Sequence, residues 1–143
     1  MTDVRTIMTK RVVAVRPETT LADAVALLTE HHIGGAPVVD AAGCLVGVIS
    51  EMEMIDVIFD ADARSASVSQ YMTCDVQVVA PSDSLPRVAQ LFALYSFCRL
   101  PVVDDGKLIG IVSRRDLMNH ALRSNELLCE PLVELIPTLA PMS

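Results

Sequence analysis

Residues 100–117 read LPVVDDGKLIGIVSRRDL, from Leu100 to Leu117. Two apolar runs rich in β-branched residues, PVV and LIGIV, flank Asp105-Gly106. An Asp-Gly pair between such runs predicts a β-hairpin, because both residues tolerate the positive φ that a tight hairpin turn demands. Ser113 follows the second run, with an acid three residues on at Asp116 and apolar Leu117 and Met118 beyond it. That spacing predicts a helix N-cap with a capping box. A helix N-terminus, with its unsatisfied N–H groups and positive dipole end, is thus delivered to the end of a strand, with Arg114 and Arg115 in its first turn. The arrangement suits a phosphate.

Working outward, the same stretch occurs earlier in the chain. Residues 36–54 read APVVDAAGCLVGVISEMEM, with one extra residue in the turn. Pro37-Val38-Val39-Asp40 matches Pro101-Val102-Val103-Asp104, and Gly47 and Ser50 match Gly110 and Ser113. Upstream, Met8-Thr9 pairs with Met72-Thr73, Pro17 with Pro81, and Leu21 with Leu85. The offset is 64 residues before the turn and 63 after it. A constant offset over this length is an internal duplication. It divides the chain into a first repeat over residues 1–60, a linker over 61–70, a second repeat over 71–124 and an apolar C-terminal extension over 125–143. Each repeat is expected to be β-α-β-β-α, an α/β (α+β) unit unable to bury its sheet alone.

The order of elements follows from local signals. Residues 1–11 read as a polar lead-in. Val12 to Val15 and Val76 to Val79 are expected as short leading strands, each closed by a proline, Pro17 or Pro81. Thr20 caps a helix with Asp23 completing the box, and Leu21, Ala24, Val25 and Leu28 form its buried face. Gly34-Gly35 is expected to supply that helix's C-cap. Ser84 begins the equivalent helix, running to about Phe97, with Pro86 in its first turn, where a missing N–H costs nothing. After Ser50 a further helix presents Met54, Ile55 and Ile58 as its apolar face, and the closing helix runs to about Arg123. Residues 60–70 are small and polar with no apolar period.

Composition bounds what this fold can do. At 143 residues with 52% hydrophobic and 3% aromatic content, the core is aliphatic. A net charge of −7 argues against broad nucleic-acid binding, which needs a basic face. The charge is uneven: residues 1–63 carry four basic and ten acidic side chains, residues 64–143 seven and eight. An anionic ligand meets less repulsion in the second half. Cys44, Cys74, Cys98 and Cys129 form no CxxC pair and have no histidine at ligand spacing, so a metal role is not expected; scattered thiols fit a reducing cytoplasm. His31, His32 and His120 read as helix-end or helix-face residues. No signal peptide and no bilayer-length apolar run is present.

With these motifs in place, the chain resembles a tandem pair of cystathionine-β-synthase (CBS) domains, a Bateman module, over about residues 4–124. The resemblance lies in two ordered copies of an MT…P…PVVD…GxxSxx[DE] pattern. It implies two repeats packed through their sheets in pseudo-twofold symmetry, leaving two clefts that in the family often bind adenosine compounds such as AMP, ADP, ATP, S-adenosylmethionine or NAD. It also implies a stand-alone regulatory protein that forms a homodimer. Carried over by position, the favoured second cleft comprises Asp116 as the ribose-binding acid, Ser113 and Arg114 facing phosphate, Thr73 and Val78 lining the nucleoside, Phe97, Cys98, Leu100 and Pro101 along the adenine wall, and Arg99 aimed at phosphate. The first cleft comprises Thr9, Ala14, Gly34, Gly35, Ala36, Pro37, Ser50 and Glu53. It departs from the pattern in having Glu53 for Asp and Glu51 where the second copy has Arg114, which weakens ribose and phosphate binding. The glycines of this cleft are expected to leave an open wall for a flat base.

The expected function is therefore a ligand-sensing regulatory module whose nucleotide changes the dimer's shape or its hold on a regulated protein. No nucleophile–base pair appears, so catalysis and a catalytic cofactor are not expected; neither is a membrane or nucleic-acid partner. The competing reading is a ligand-free dimerisation or docking module acting through residues 125–143, where Leu127, Leu128, Leu132, Leu135 and Ile136 are too apolar for an idle tail.

Overall fold

From the N-terminus the chain forms α1 (Val4–Ile7), α2 (Leu21–Glu30), β1 (Gly35–Val39), β2 (Leu45–Ser50), α3 (Glu51–Met54), α4 (Ala61–Ser65), a 3-10 turn (Val68–Gln70), α5 (Leu85–Leu94), β3 (Arg99–Asp104), β4 (Lys107–Ser113) and α6 (Arg114–Ser124). The structure, a computed structural model, describes residues 2–95 and 99–124. The expected continuation of α5 to Phe97 and the whole extension 125–143 lie outside the described residues.

The Asp-Gly turn forms as its chemistry requires, with φ of +53° at Asp105 and +79° at Gly106. It joins β3 to β4 in an antiparallel ladder that sets Arg99 opposite Ser113 and Val102 opposite Gly110, with a bulge between Val102 and Val103. β1 and β2 repeat this arrangement, Gly35 opposite Ser50, with a bulge between Val38 and Val39. Their longer turn is held by Asp40, whose Oδ1 accepts the N–H groups of Ala42 and Cys44, both at 2.9 Å. The two hairpin tips meet: Leu45 N–H donates to Gly106 O and Leu108 N–H to Gly43 O.

The leading strands are shorter than expected. Only Val15 and Val79 pair, each by a single parallel bridge, with Val38 and Val102. Val15 N–H donates to Pro37 O and Val39 N–H donates to Val15 O; Val79, Pro101 and Val103 repeat the pattern. The next rung on one side needs an N–H from Pro37 or Pro101 and on the other from Pro17 or Pro81, and proline has none. The prolines that mark the duplication are what stop the ladder at one rung.

The helices follow their caps. Thr20 Oγ1 accepts from Asp23 N–H and Ser84 Oγ from Arg87 N–H. Leu21, Ala24 and Leu28 are buried from α2, and Leu85, Val88 and Phe92 from α5. The end of α2 corrects the expected glycine cap. The left-handed residue is His32, φ +54°, with Ile33 N–H on Leu28 O and His32 N–H on Thr29 O, a Schellman closure. After Ser50 the helix is a single turn, and of its expected apolar face Met54 is buried while Ile55 is exposed.

Two stretches read as bare connections are structural. Residues 61–70 form α4 and the 3-10 turn, burying Ala63 and Val68 in a core with Val15, Leu21, Ala24, Leu28, Val38 and Ile49. The lead-in forms α1, whose Val4 is buried in the other core, with Val79, Leu85, Val88, Phe92, Leu100, Val102 and Val112. Val4 N–H donates to Asp83 O and Arg5 N–H to Pro81 O, while Leu21 N–H donates to Ala66 O and Val68 N–H to Thr19 O. The segment ahead of each repeat therefore completes the core of the other.

Candidate functional site

The exchanged segments decide which residues meet. Thr9 N–H donates to Ile111 O at 2.8 Å and Ile111 N–H returns to Thr9 O at 2.9 Å; Thr73 and Val48 make the same pair, both at 2.9 Å. Glycine at 110 and 47 lets the chain approach. A Cβ at Gly110 would meet Met8 Sδ at 2.7 Å, and one at Gly47 would meet Met72 Sδ and Thr73 O at 2.8 Å. Each Met-Thr pair is thus seated on the second hairpin strand of the opposite repeat. Thr9 lies beside the strand that ends at Ser113, and Thr73 beside the strand that ends at Ser50.

This regroups the expected clefts. Ser113, Arg114 and Asp116 are joined by Thr9 rather than Thr73. Arg99 stands opposite Ser113 in the ladder, so its exposed guanidinium belongs to the same end. Thr73 goes with Ser50 and Glu53. Val78 lines a cavity of about 210 Å³ with Val46, Gly47, Cys74 and Val103, again on the side of β2. The sequence aligned the two copies but carried no sign that their leading segments cross; the Met-to-Gly contacts are the only feature that could have given it.

The two acids occupy equivalent positions and are held differently. Asp116 Oδ2 accepts the Ser113 N–H at 2.9 Å while Asp116 N–H donates to Ser113 Oγ at 3.0 Å. Its Oδ1 accepts no hydrogen bond among the described residues. Glu53 has both oxygens engaged by Ser50: Oε1 takes the Ser50 N–H at 3.0 Å and Oε2 the Ser50 hydroxyl at 2.7 Å. The extra methylene lets glutamate fold back fully onto its cap, whereas aspartate reaches it with one oxygen.

The remaining expected residues are placed as follows. Ala36, Pro37, Leu100 and Pro101 are buried, Ala14 and Gly35 half-buried, and Gly34 exposed. The expected open wall at Gly34 is partly covered, since a Cβ there would lie 2.7 Å from Glu51 Oε1. Phe97 and Cys98 lie outside the described residues. A larger groove, about 410 Å³, runs between α2 and α3 and touches none of the expected ligand residues except Gly34. Among the described residues no group of three or more His, Cys, Asp or Glu side chains could hold a metal ion, and no helix is long and apolar enough to cross a membrane.

Two sheet-and-helix repeats closed by exchanged segments, each ending a hairpin strand at a Ser-capped acid, define a paired regulatory-domain architecture. The profile of the CBS domain matches residues 4–60 and 68–123, and the chain belongs to the CBS domain family. The CBS domain-containing protein YhcV of Bacillus subtilis is 34% identical over 88% of this chain and 89% of its own, whereas the chain spans 41% of one longer relative. Among solved structures, CBSX2, a CBS-pair protein of Arabidopsis thaliana, in complex with AMP superposes with a TM-score of 0.79 at 36% identity, over 87% of this chain and 98% of that one. The CBS domain pair of MJ0100 in complex with 5′-methylthioadenosine and S-adenosyl-L-methionine gives 0.72 at 25% identity, over 87% and 98%.

Proposed function

We propose that the protein is a non-catalytic regulatory module that binds an adenosine compound, chiefly beside Asp116, and works as a homodimer in a reducing compartment, where Cys44 and Cys74 stay free. The observation that carries this reading is the asymmetry of the two acids. A ribose presents two adjacent hydroxyls that a carboxylate accepts well, and Asp116 retains an oxygen for them while both oxygens of Glu53 are committed to Ser50. Arg99 and Arg114 supply positive charge for a phosphate next to the N-terminus of α6, where the dipole adds to it. The AMP complex of CBSX2 and the methylthioadenosine and S-adenosylmethionine complex of MJ0100 support an adenosine-class ligand. Ligand contacting both the exchanged Thr9 segment and α6 favours one relative setting of the repeats, a population shift with a coupling of about 1–3 kcal/mol.

The test is a thermal-shift panel of AMP, ADP, ATP, S-adenosylmethionine and NAD, followed by titration calorimetry on wild type, Asp116→Ala and Glu53→Ala. A ligand at 100 times its dissociation constant stabilises by about 2.7 kcal/mol. Asp116→Ala is expected to abolish most of that shift beyond the roughly 1 kcal/mol lost from the cap; Glu53→Ala leaves it intact. Equal loss in both variants, or no hit in the panel, overturns the reading.

A further inference from the structure

Two exposed apolar side chains recur at matching positions of the repeats. Ile55 is 64% and Phe59 90% exposed; their counterparts 63 residues on, Met118 and Leu122, are 64% and 83% exposed. Isolated exposed apolar residues need no explanation, but the same pair kept exposed on both copies of a duplicated unit describes a face presented twice. The charges around the pairs do not recur. Glu51, Asp56 and Asp60 flank the first pair, all exposed; Arg114, Asn119 and Arg123 hold the matching positions around the second, and Arg115 stands where the first repeat has Met52. Shape differs as well. The first face adjoins the groove of about 410 Å³ between α2 and α3, lined by Val25, Leu28, Ile33, Met54, Ile55 and Ile58, while Met118 and Leu122 project from α6.

We propose that a second copy of this chain docks head-to-tail on these faces, the acidic, grooved end of one copy receiving the basic end around Met118 and Leu122 of the other, twice about a twofold axis. The proposal rests on the reading of the protein as a homodimer and adds its orientation. Both orientations give a closed, isologous pair. Like-with-like pairing sets the Glu51, Asp56 and Asp60 carboxylates against their own copies and Arg115 and Arg123 against theirs, whereas head-to-tail pairing neutralises both rims and brings projecting side chains to a groove. Such rim charges govern encounter and partner choice more than they add affinity. The arrangement also ties the ligand to the assembly, because α6 carries Asp116 in its first turn and Met118 and Leu122 on the docking face.

The experiment is sedimentation equilibrium of the full chain at about 50 mM and about 500 mM NaCl, between which surface charges become largely screened. It is repeated on Asp56→Lys/Asp60→Lys and on Arg115→Glu/Arg123→Glu. Head-to-tail docking is expected to weaken about tenfold with salt and by at least as much in each double variant alone. An equimolar mixture of the two variants restores the dimer, which also demonstrates that both are folded. A dimer that tightens with salt, or that survives either charge reversal unchanged, overturns the head-to-tail orientation and leaves the homodimer standing. A monomer under all conditions overturns the homodimer itself.

Discussion

His32 holds φ at +54° with a β-carbon in place, where a non-glycine residue costs roughly 1–2 kcal/mol. Glycine relieves that cost but loses more backbone freedom on folding, about 0.5–1 kcal/mol. His32→Gly is accordingly expected to raise stability by about 0.5–1 kcal/mol, read as a higher urea midpoint at unchanged m-value; a lower midpoint would mean that the imidazole contributes more than the strain removes. Gly47 presents the opposite case. An added Cβ lies 2.8 Å from Thr73 O, a backbone atom that cannot rotate away, so Gly47→Ala is expected to cost about 1–3 kcal/mol and Met72→Ala to leave that cost in place. At Gly110 the closest atom is the flexible Met8 sulfur at 2.7 Å, so shortening Met8 relieves part of the clash. The sequence marks all these positions as repeated, since repeat alignment is a property of residue types. How an oxygen is spent at Asp116 or Glu53 is set by one methylene of reach, which alignment does not see.

At the scale of elements, the hairpins and capped helices are legible because each carries its own signal: Asp-Gly with flanking β-branched runs, Ser or Thr at the N-cap, apolar residues at helical spacing. The leading strands are misjudged in length because the residues that stop them are partly on the other strand, Pro37 and Pro101, and act through hydrogen bonds they cannot donate. α1 and the 3-10 turn are missed because four residues and three are too few to show a period. Their weight in the cores is nonetheless that of full elements, since Val4 and Val68 are completely buried. Val4→Ala and Val68→Ala are each expected to destabilise the protein by about 2 kcal/mol through lost burial and the cavity left behind, measured by urea unfolding. Values near zero would return residues 1–11 and 61–70 to the lead-in and linker that their composition suggests.

Across the whole molecule the duplication makes the architecture legible and hides the exchange. A constant offset states that two units are alike; it does not state that Met8-Thr9 closes the second hairpin and Met72-Thr73 the first. The exchange has a thermodynamic consequence. Each core contains residues that precede the other repeat, Val4 in one and Ala63 and Val68 in the other, and the hairpin tips are bonded across the centre. Unfolding either repeat strips buried surface from its neighbour, so the repeats are expected to melt as one cooperative unit. The chain has two tyrosines and no tryptophan, and each tyrosine reports one side: Tyr71 packs on the first core, while Tyr95 follows α5 in the second. Tyrosine fluorescence of Tyr95→Phe then follows the first repeat and that of Tyr71→Phe the second. After each variant's own stability shift is taken from far-UV circular dichroism, both urea curves are expected to coincide with the loss of secondary structure, and Val4→Ala in the second core is expected to move the Tyr71 curve as far as Val68→Ala in the first. A Tyr71 transition unmoved by Val4→Ala would mean that the exchanged segments pack without coupling, and ligand-driven changes at Asp116 would then have no route through the cores to the first repeat.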